Sequence, residues 1–287
     1  MPIEKCIITY DSWKVYVEKH ISHPDHETII MVNGALSTTA AFKNTVKNLS
    51  SRFNIILFDL PFIGESLPYN TLDRVITKHD EVNILLHLID TFEPDHILSI
   101  SWGGLSSMLA LSNKPRQIKK AVIASFSAHL NDKMRDYIEQ ARYYIHSKEF
   151  ESAAELLNNE VGKFLPPLLK HINLKHISSM SEFAFQQVNF HIDQVLTLKE
   201  ENYIEIFRGI NAEILFLNGE NDEYTTSDDI KKMEKYIKSC KFSTIPEAGH
   251  FLDLENRKAA KQVAERIIPF LPSEDQDRKA VGYYPAA

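Results

Sequence analysis

Apolar residues recur along this chain in two rhythms. Across residues 3–10 and 13–19 they alternate with polar ones, and Asp11-Ser12 stands between the two runs. Period-two alternation on either side of a turn-forming pair predicts two antiparallel strands. From residue 28 to 32 the alternation gives way to a short continuous apolar run that stops at Asn33-Gly34, and residues 54–58, 96–100, 120–124, 213–217 and 242–245 repeat that run. Such runs predict strands buried on both faces, as in a parallel sheet. Between them lie segments of helical spacing: residues 38–49, 104–111, about 227–237 and about 252–270. The clearest helix follows Thr77, where Asp80 three residues on completes a capping-box signature and Val82, Leu85, Leu86 and Ile89 fall at i, i+3, i+4 and i+7. Strands alternating with helices predict an α/β fold, its mainly parallel sheet covered on both faces.

Residues 126–208 break the alternation with long helical patterns rich in Phe, Tyr, Leu and Lys. The expected organisation is a core of residues 1–125 and 209–270, a helical cap inserted at 126–208, and a mobile, aperiodic tail at 271–287. At 287 residues the chain is near the size at which one core stops growing, which suits one core with an insertion. With 44% hydrophobic and 25% charged residues it has the composition of a folded protein, and a net charge of −7 argues against a nucleic-acid binder. No run reaches the about 18 apolar residues of a membrane span. The first twenty residues scatter charges where a signal peptide needs a continuous apolar region, so a cytoplasmic location is expected. Cys6 and Cys240 are far apart and outside any metal-ligand spacing, and read as ordinary structural thiols.

The chemistry concentrates at the ends of the apolar runs. Directly after the run ending at Ile100 comes Ser101-Trp102-Gly103-Gly104, opening a helix, which is the setting of a nucleophile elbow. Ser99 occupies the place where the G-x-S-x-G pattern has glycine, while Gly103 fits it. An S-x-S-x-G string alone reads equally as a loop or a helix cap; its place after a central strand gives it meaning. Serine needs a base and a group to orient that base. His250, in Glu247-Ala248-Gly249-His250 after the last strand, supplies the base. Asp222 follows the strand at 213–217 and is favoured by its position relative to Gly219, with Glu220 and Glu223 as rivals. The order Ser, acid, His matches that of the elbow-bearing hydrolases. Two backbone N–H donors for an oxyanion are expected at Ala35, after the first buried strand, and at Trp102. There is no H-E-x-x-H motif, Cys pair, Asp-rich calcium loop or Gly-rich phosphate loop, so no metal or cofactor is expected.

Together these motifs resemble one family, the 3-(3-hydroxyalkanoyloxy)alkanoate synthases of rhamnolipid biosynthesis, which have the α/β-hydrolase fold. The matching stretches are MVNGALSTTAAF, LFDLPFIGES, VITKHDEVNILL, SISWGGLSSMLALS, VGKFLPPLLK, FHIDQVLTL, NDEYTT and GHFLDLE. The tryptophan after the elbow serine and the phrase FHIDQVL are more specific than the general hydrolase pattern. The resemblance implies an acyltransferase that joins two 3-hydroxyacyl chains, taken as acyl-carrier-protein or coenzyme A thioesters, with a rhamnosyltransferase as a candidate downstream partner. It implies Ser101 as nucleophile, His250 as base, Asp222 as its orienter, and the Ala35 and Trp102 N–H groups as the oxyanion hole.

Transfer rather than hydrolysis requires a dry pocket. Phe126, Tyr137, Tyr144, Phe150, Phe164, Phe183, Phe185 and Phe190 offer the cap material to roof one, with half or more of them expected to be plain packing. An acidic carrier calls for a basic docking surface. Lys114, Arg116, Lys119 and Lys120 are the densest basic cluster but should lie at the sheet edge opposite Ser101, which leaves Lys163, Lys170 and Lys175 in the cap. The competing readings are a carboxylesterase or thioesterase with the same triad, and a catalytically silent binding protein of the same fold.

Overall fold

The computed structural model describes residues 3–71, 74–197 and 203–272. Among these, eight strands form one sheet: β1 (Ile3–Tyr10), β2 (Trp13–His20), β3 (Thr28–Val32), β4 (Asn54–Asp59), β5 (His96–Ile100), β6 (Lys120–Ala124), β7 (Glu213–Gly219) and β8 (Cys240–Ile245). Their order is β1-β2-β4-β3-β5-β6-β7-β8. The first two form an antiparallel hairpin and β2 runs antiparallel to β4; from β4 onward every pairing is parallel.

Side-chain alternation divides the core into two layers. Ile30 and Val32 of β3, Ile97 of β5, and Ile214 and Phe216 of β7 face α2 (Lys78–Phe92) and α3 (Gly103–Ser112). Ile29, Met31, Leu98, Leu215 and Leu217 face α1 (Lys43–Leu49) and the last helix. Because both faces are covered, the strands carry apolar residues at nearly every position. The capping box at the start of α2 forms as read: the Thr77 side chain accepts from the Asp80 N–H, and Asp80 accepts from the Thr77 N–H.

Three predicted helices are shorter than their apolar spacing suggests. Residues 38–49 divide into a 3-10 turn, Thr39–Phe42, and α1. The stretch from 227 divides into α8 (Ser227–Lys231) and a 3-10 turn, Lys232–Lys235. The last begins as a 3-10 turn, Leu252–Leu254, after which the Asn256 side chain caps the Ala259 N–H and starts α9 (Arg257–Phe270). In this last case a side chain that competes for a backbone N–H starts the helix afresh where apolar spacing alone reads straight through.

Between β6 and β7 lie α4 (Asp132–His146), α5 (Phe150–Asn159), α6 (Pro167–Ser178) and α7 (Glu182–Thr197). They share a cluster of their own, with Ile138, Ala141, Ile145, Ala154, Ile177, Phe185 and Ile192 buried together. Phe150 stacks flat on Phe185, ring centroids 3.9 Å apart. Leu36 and Trp102 of the sheet domain pack against this cluster, which seats the helices over the carboxyl ends of the strands. Residues 198–202 and 273–287, parts of the predicted cap and tail, fall outside the described residues.

Candidate active site

The sheet brings three loops to one edge. Ser101 follows β5 with φ of 50°, a left-handed conformation that is uncommon for a non-glycine residue and is held here by tertiary contacts. Its N–H bonds the Ala124 carbonyl at 2.9 Å, and its carbonyl accepts from the Gly104 N–H at 2.8 Å. The chain can turn this sharply because of Gly103: a Cβ there would run into the Asn33 and Val32 carbonyl oxygens. Ser99, in the place of the usual first glycine, is fully buried, so a hydroxymethyl group is accommodated between strand and helix.

Ser101 Oγ lies 2.9 Å from His250 Nε2, and His250 Nδ1 lies 2.8 Å from Asp222 Oδ2. Asp222 and His250 are buried. The second carboxylate oxygen of Asp222 accepts the Tyr224 and Thr225 N–H groups, and the Thr225 hydroxyl donates to Oδ2 at 2.5 Å. Burial by itself would push the Asp222 carboxyl up; the neighbouring His250 and these hydrogen bonds outweigh it and hold the group below the usual carboxylate range. The rivals are engaged elsewhere: Glu220 accepts the Glu247 N–H, and Glu223 pairs with Lys163 at 2.9 Å. The Asp222 loop meets the His250 loop closely: a Cβ on Gly219 would collide with the Gly249 and Ala248 carbonyls.

The His250 backbone is itself braced. Glu255 accepts the Gly249 N–H at 2.7 Å and the Phe251 N–H at 3.0 Å, and the Ser125 hydroxyl donates to the His250 carbonyl at 2.6 Å. Burial pushes the Glu255 carboxyl above its usual range, against the pull of its two N–H donors. GHFLDLE is conspicuous as a motif, yet nothing in its spacing reveals that its last residue holds the loop.

Ala35 stands in the turn from Gly34 to Ser37, where a Cβ on Gly34 would lie 3.5 Å from the Ser101 Cβ. Trp102 opens α3, where backbone N–H groups have no partner within the helix. Both residues, with Ser101 and His250, line an apolar cavity of about 270 Å³. Its far wall belongs to the cap helices: Met134, Tyr137 and Ile138 of α4, Leu157 of α5, Phe185 and Val188 of α7. Of the aromatics expected to roof a tunnel, Phe126, Tyr137 and Phe185 line this cavity, whereas Phe164 is 41% exposed and sits over Gly249.

The basic residues divide. Lys119 and Lys120 bond groups at the amino ends of the strands and at the end of α9, away from Ser101. In the cap, Lys163 is committed to Glu223, while Lys170 and Lys175 lie on α6, Lys175 exposed and Lys170 half-buried. Among the described residues no cluster of His, Cys, Asp or Glu is placed to hold a metal ion, and no helix is long and apolar enough to cross a membrane.

One set of buried residues escaped the sequence reading: Lys78, Glu81, Gln187 and His191, gathered beside Trp102. A signal existed. Glu81 shares a helix face with Leu85 and Leu88, so a carboxylate stands on an apolar stripe.

The profile of the α/β hydrolase fold matches residues 27–256. The chain belongs to the α/β hydrolase family. Within that family it is 43% identical over 259 residues, 90% of this chain and 88% of the relative, to an (R)-3-hydroxydecanoyl-ACP:CoA transacylase of Pseudomonas putida. It is 38% identical over 270 residues, 94% and 90% of the two chains, to a protein of the same name in Pseudomonas aeruginosa. Solved α/β hydrolases share the fold at low identity. The enzyme MGS-M2 from a deep-sea metagenome superposes with a TM-score of 0.77 at 16% identity, covering 94% of this chain and 99% of that one. An esterase of Exiguobacterium antarcticum gives 0.75 at 15%, covering 93% and 98%.

Proposed function

We propose that this protein is a serine-dependent acyltransferase that takes a 3-hydroxyacyl chain from a carrier thioester and passes it to a thiol or hydroxyl acceptor. The observation that carries the reading is the Ser101–His250–Asp222 relay opening onto a cap-roofed apolar cavity. With Nδ1 protonated and donating to Asp222, His250 Nε2 accepts the Ser101 proton as Oγ attacks the thioester carbonyl. The Ala35 and Trp102 N–H groups receive the developing oxyanion. Collapse breaks the C–S bond, and the thiol leaves with the proton His250 held. In the second half His250 takes a proton from the acceptor, the acceptor attacks the Ser101 ester, and the proton returns to Oγ.

The acceptor favoured by the full-length relatives is the thiol of coenzyme A, which would make the enzyme a 3-hydroxyacyl transacylase. A second reading keeps the acyl-enzyme and changes the acceptor to the 3-hydroxyl of another 3-hydroxyacyl chain, giving a 3-(3-hydroxyalkanoyloxy)alkanoate. It is supported by the tryptophan after the elbow serine and by FHIDQVL in the cap. In both readings the apolar lining slows the competing attack by water. Incubation with a 3-hydroxydecanoyl carrier-protein thioester and coenzyme A, followed by mass spectrometry, separates them. The coenzyme A thioester supports the first reading and the ester-linked dimer acid the second. Free 3-hydroxydecanoate as the sole product would make the protein a thioesterase and overturn both.

A further inference from the structure

Beside the Trp102 indole three ionisable side chains are buried together. Lys78 and Glu81 sit one turn apart at the start of α2, with Lys78 Nζ 2.6 Å from Glu81 Oε2 and side-chain exposures of 11% and 3%. The Ser106 hydroxyl of α3 donates to the same carboxylate oxygen at 2.6 Å. From the cap, His191 of α7 brings Nε2 to 3.2 Å from Glu81 Oε1 and 2.8 Å from the Ile76 carbonyl. One turn earlier Gln187 clamps the Ile76 backbone, accepting its N–H at 2.7 Å and donating to its carbonyl at 2.6 Å. The cluster touches the elbow through one residue. Lys78 Nζ lies 5.0 Å from the centre of the Trp102 ring, and the His191 ring lies 5.4 Å from it at a tilt of 32°. Glu81, His191, Asn33, Gly34 and Ala35 also share the walls of a cavity of about 30 Å³, so the cluster adjoins the Ala35 turn as well.

Stability does not account for this arrangement. A buried ion pair is weak evidence for stability, because apolar side chains of similar volume often serve as well or better. Burial holds the Lys78 ammonium below its usual range despite Glu81, and burial likewise lowers His191. What charges and hydrogen bonds supply, and apolar packing does not, is a fixed direction. We propose that Lys78, Glu81 and His191 are positioning residues for the oxyanion site: they fix the Trp102 ring, and through it the Trp102 N–H, and they tie that geometry to the seating of cap helix α7. The inference rests on the reading of Ser101 as the nucleophile and not on the identity of the acceptor.

A double-mutant cycle tests it, with turnover of a p-nitrophenyl acyl ester as readout, because that substrate needs only the triad and the oxyanion hole. Misplacement of a catalytic group by about 1 Å can cost about a hundredfold, and a smaller displacement correspondingly less. Lys78→Met is therefore expected to lower kcat about tenfold with KM within twofold when Trp102 is present, and less than twofold in a Trp102→Phe background. The Trp13→Phe variant leaves Trp102 as the sole indole, and its emission should shift in Lys78→Met. Should Lys78→Met not fold, His191→Phe, which keeps a ring in place, is put through the same cycle with the same expectation. Equal losses in both backgrounds, or no loss in either, would overturn the proposal. Loss of all turnover in Ser101→Ala checks the reading beneath it separately.

Discussion

Two carboxylate–histidine pairs flank the Ser101–Trp102 elbow, and they differ in what the third partner is. Asp222 meets His250 at Nδ1, which leaves Nε2 for the Ser101 hydroxyl. Glu81 meets His191 at Nε2, the nitrogen that also reaches the Ile76 carbonyl, and the carboxylate is matched by the Lys78 ammonium rather than by a reacting group. The first pair sits on loops at strand ends, where a proton can pass to a ligand. The second is held between two helices and a backbone segment, with Gln187 Nε2 also 2.8 Å from His191 Nε2. On the proposed reading the same residue types make a base in one place and a brace in the other, and local connectivity decides which.

Substitutions should separate the two pairs by size of effect. Ser101→Ala, which removes the proposed nucleophile, should lower ester turnover by about 10⁶-fold and abolish fluorophosphonate labelling without moving the melting temperature. Asp222→Asn keeps the shape but loses the tautomer control, and about 10⁴-fold in kcat is expected, measured as initial rates at pH 7. Loss of one partner in the second cluster should register in stability as well as in kcat. Glu81→Leu strands a buried ammonium and should cost about 3 kcal/mol in urea unfolding, whereas Glu81→Leu with Lys78→Met should recover most of that loss. Lys175→Glu on the exposed face of α6 should have the smallest effect. A few-fold loss of kcat/KM is expected with a carrier-linked donor at low salt, and none with the p-nitrophenyl ester.

The two carboxylates that serve His250 respond oppositely to pH. The Asp222 pKa is lowered by folding, so its contribution to stability is complete above the unfolded value of about 3.9 and fades only as pH falls further. The Glu255 pKa is raised, so ionising it in the folded state costs stability as pH climbs past the unfolded value of about 4.3. Glu255→Gln removes that cost. Its melting temperature relative to the parent should rise as pH is taken from 4 to 7, followed by circular dichroism; a constant difference would contradict the assigned strain.

Much of this was legible in the sequence for a physical reason. Strands buried on both faces leave unbroken apolar runs, so β3, β5, β6 and β7 declare themselves, and a nucleophile that must sit on a sharp strand-to-helix turn brings small residues with it. The cap was less readable. On α6, Leu168 and Ile172 are 69% and 50% exposed, so apolar character does not mark its buried face. Most of the cap's aromatics are packing, as expected: Phe150 stacks on Phe185, and only Phe126, Tyr137 and Phe185 of those named line the cavity. The Lys78–Glu81–His191 cluster was hidden because its partners come from α2 and α7, and only the tertiary fold makes a stray carboxylate on an apolar stripe into half of an ion pair.

The central claim is a covalent one, that a 3-hydroxyacyl chain rests on Ser101 between donor and acceptor. Mass spectrometry of proteolytic peptides, after brief exposure to a 3-hydroxydecanoyl thioester with no acceptor present, reads it directly. The account predicts the mass of one 3-hydroxydecanoyl ester on the peptide carrying Ser101, absent in Ser101→Ala and discharged when coenzyme A or a second hydroxyacyl substrate is added. An acyl group on another residue, or turnover that proceeds undiminished in Ser101→Ala, would contradict it.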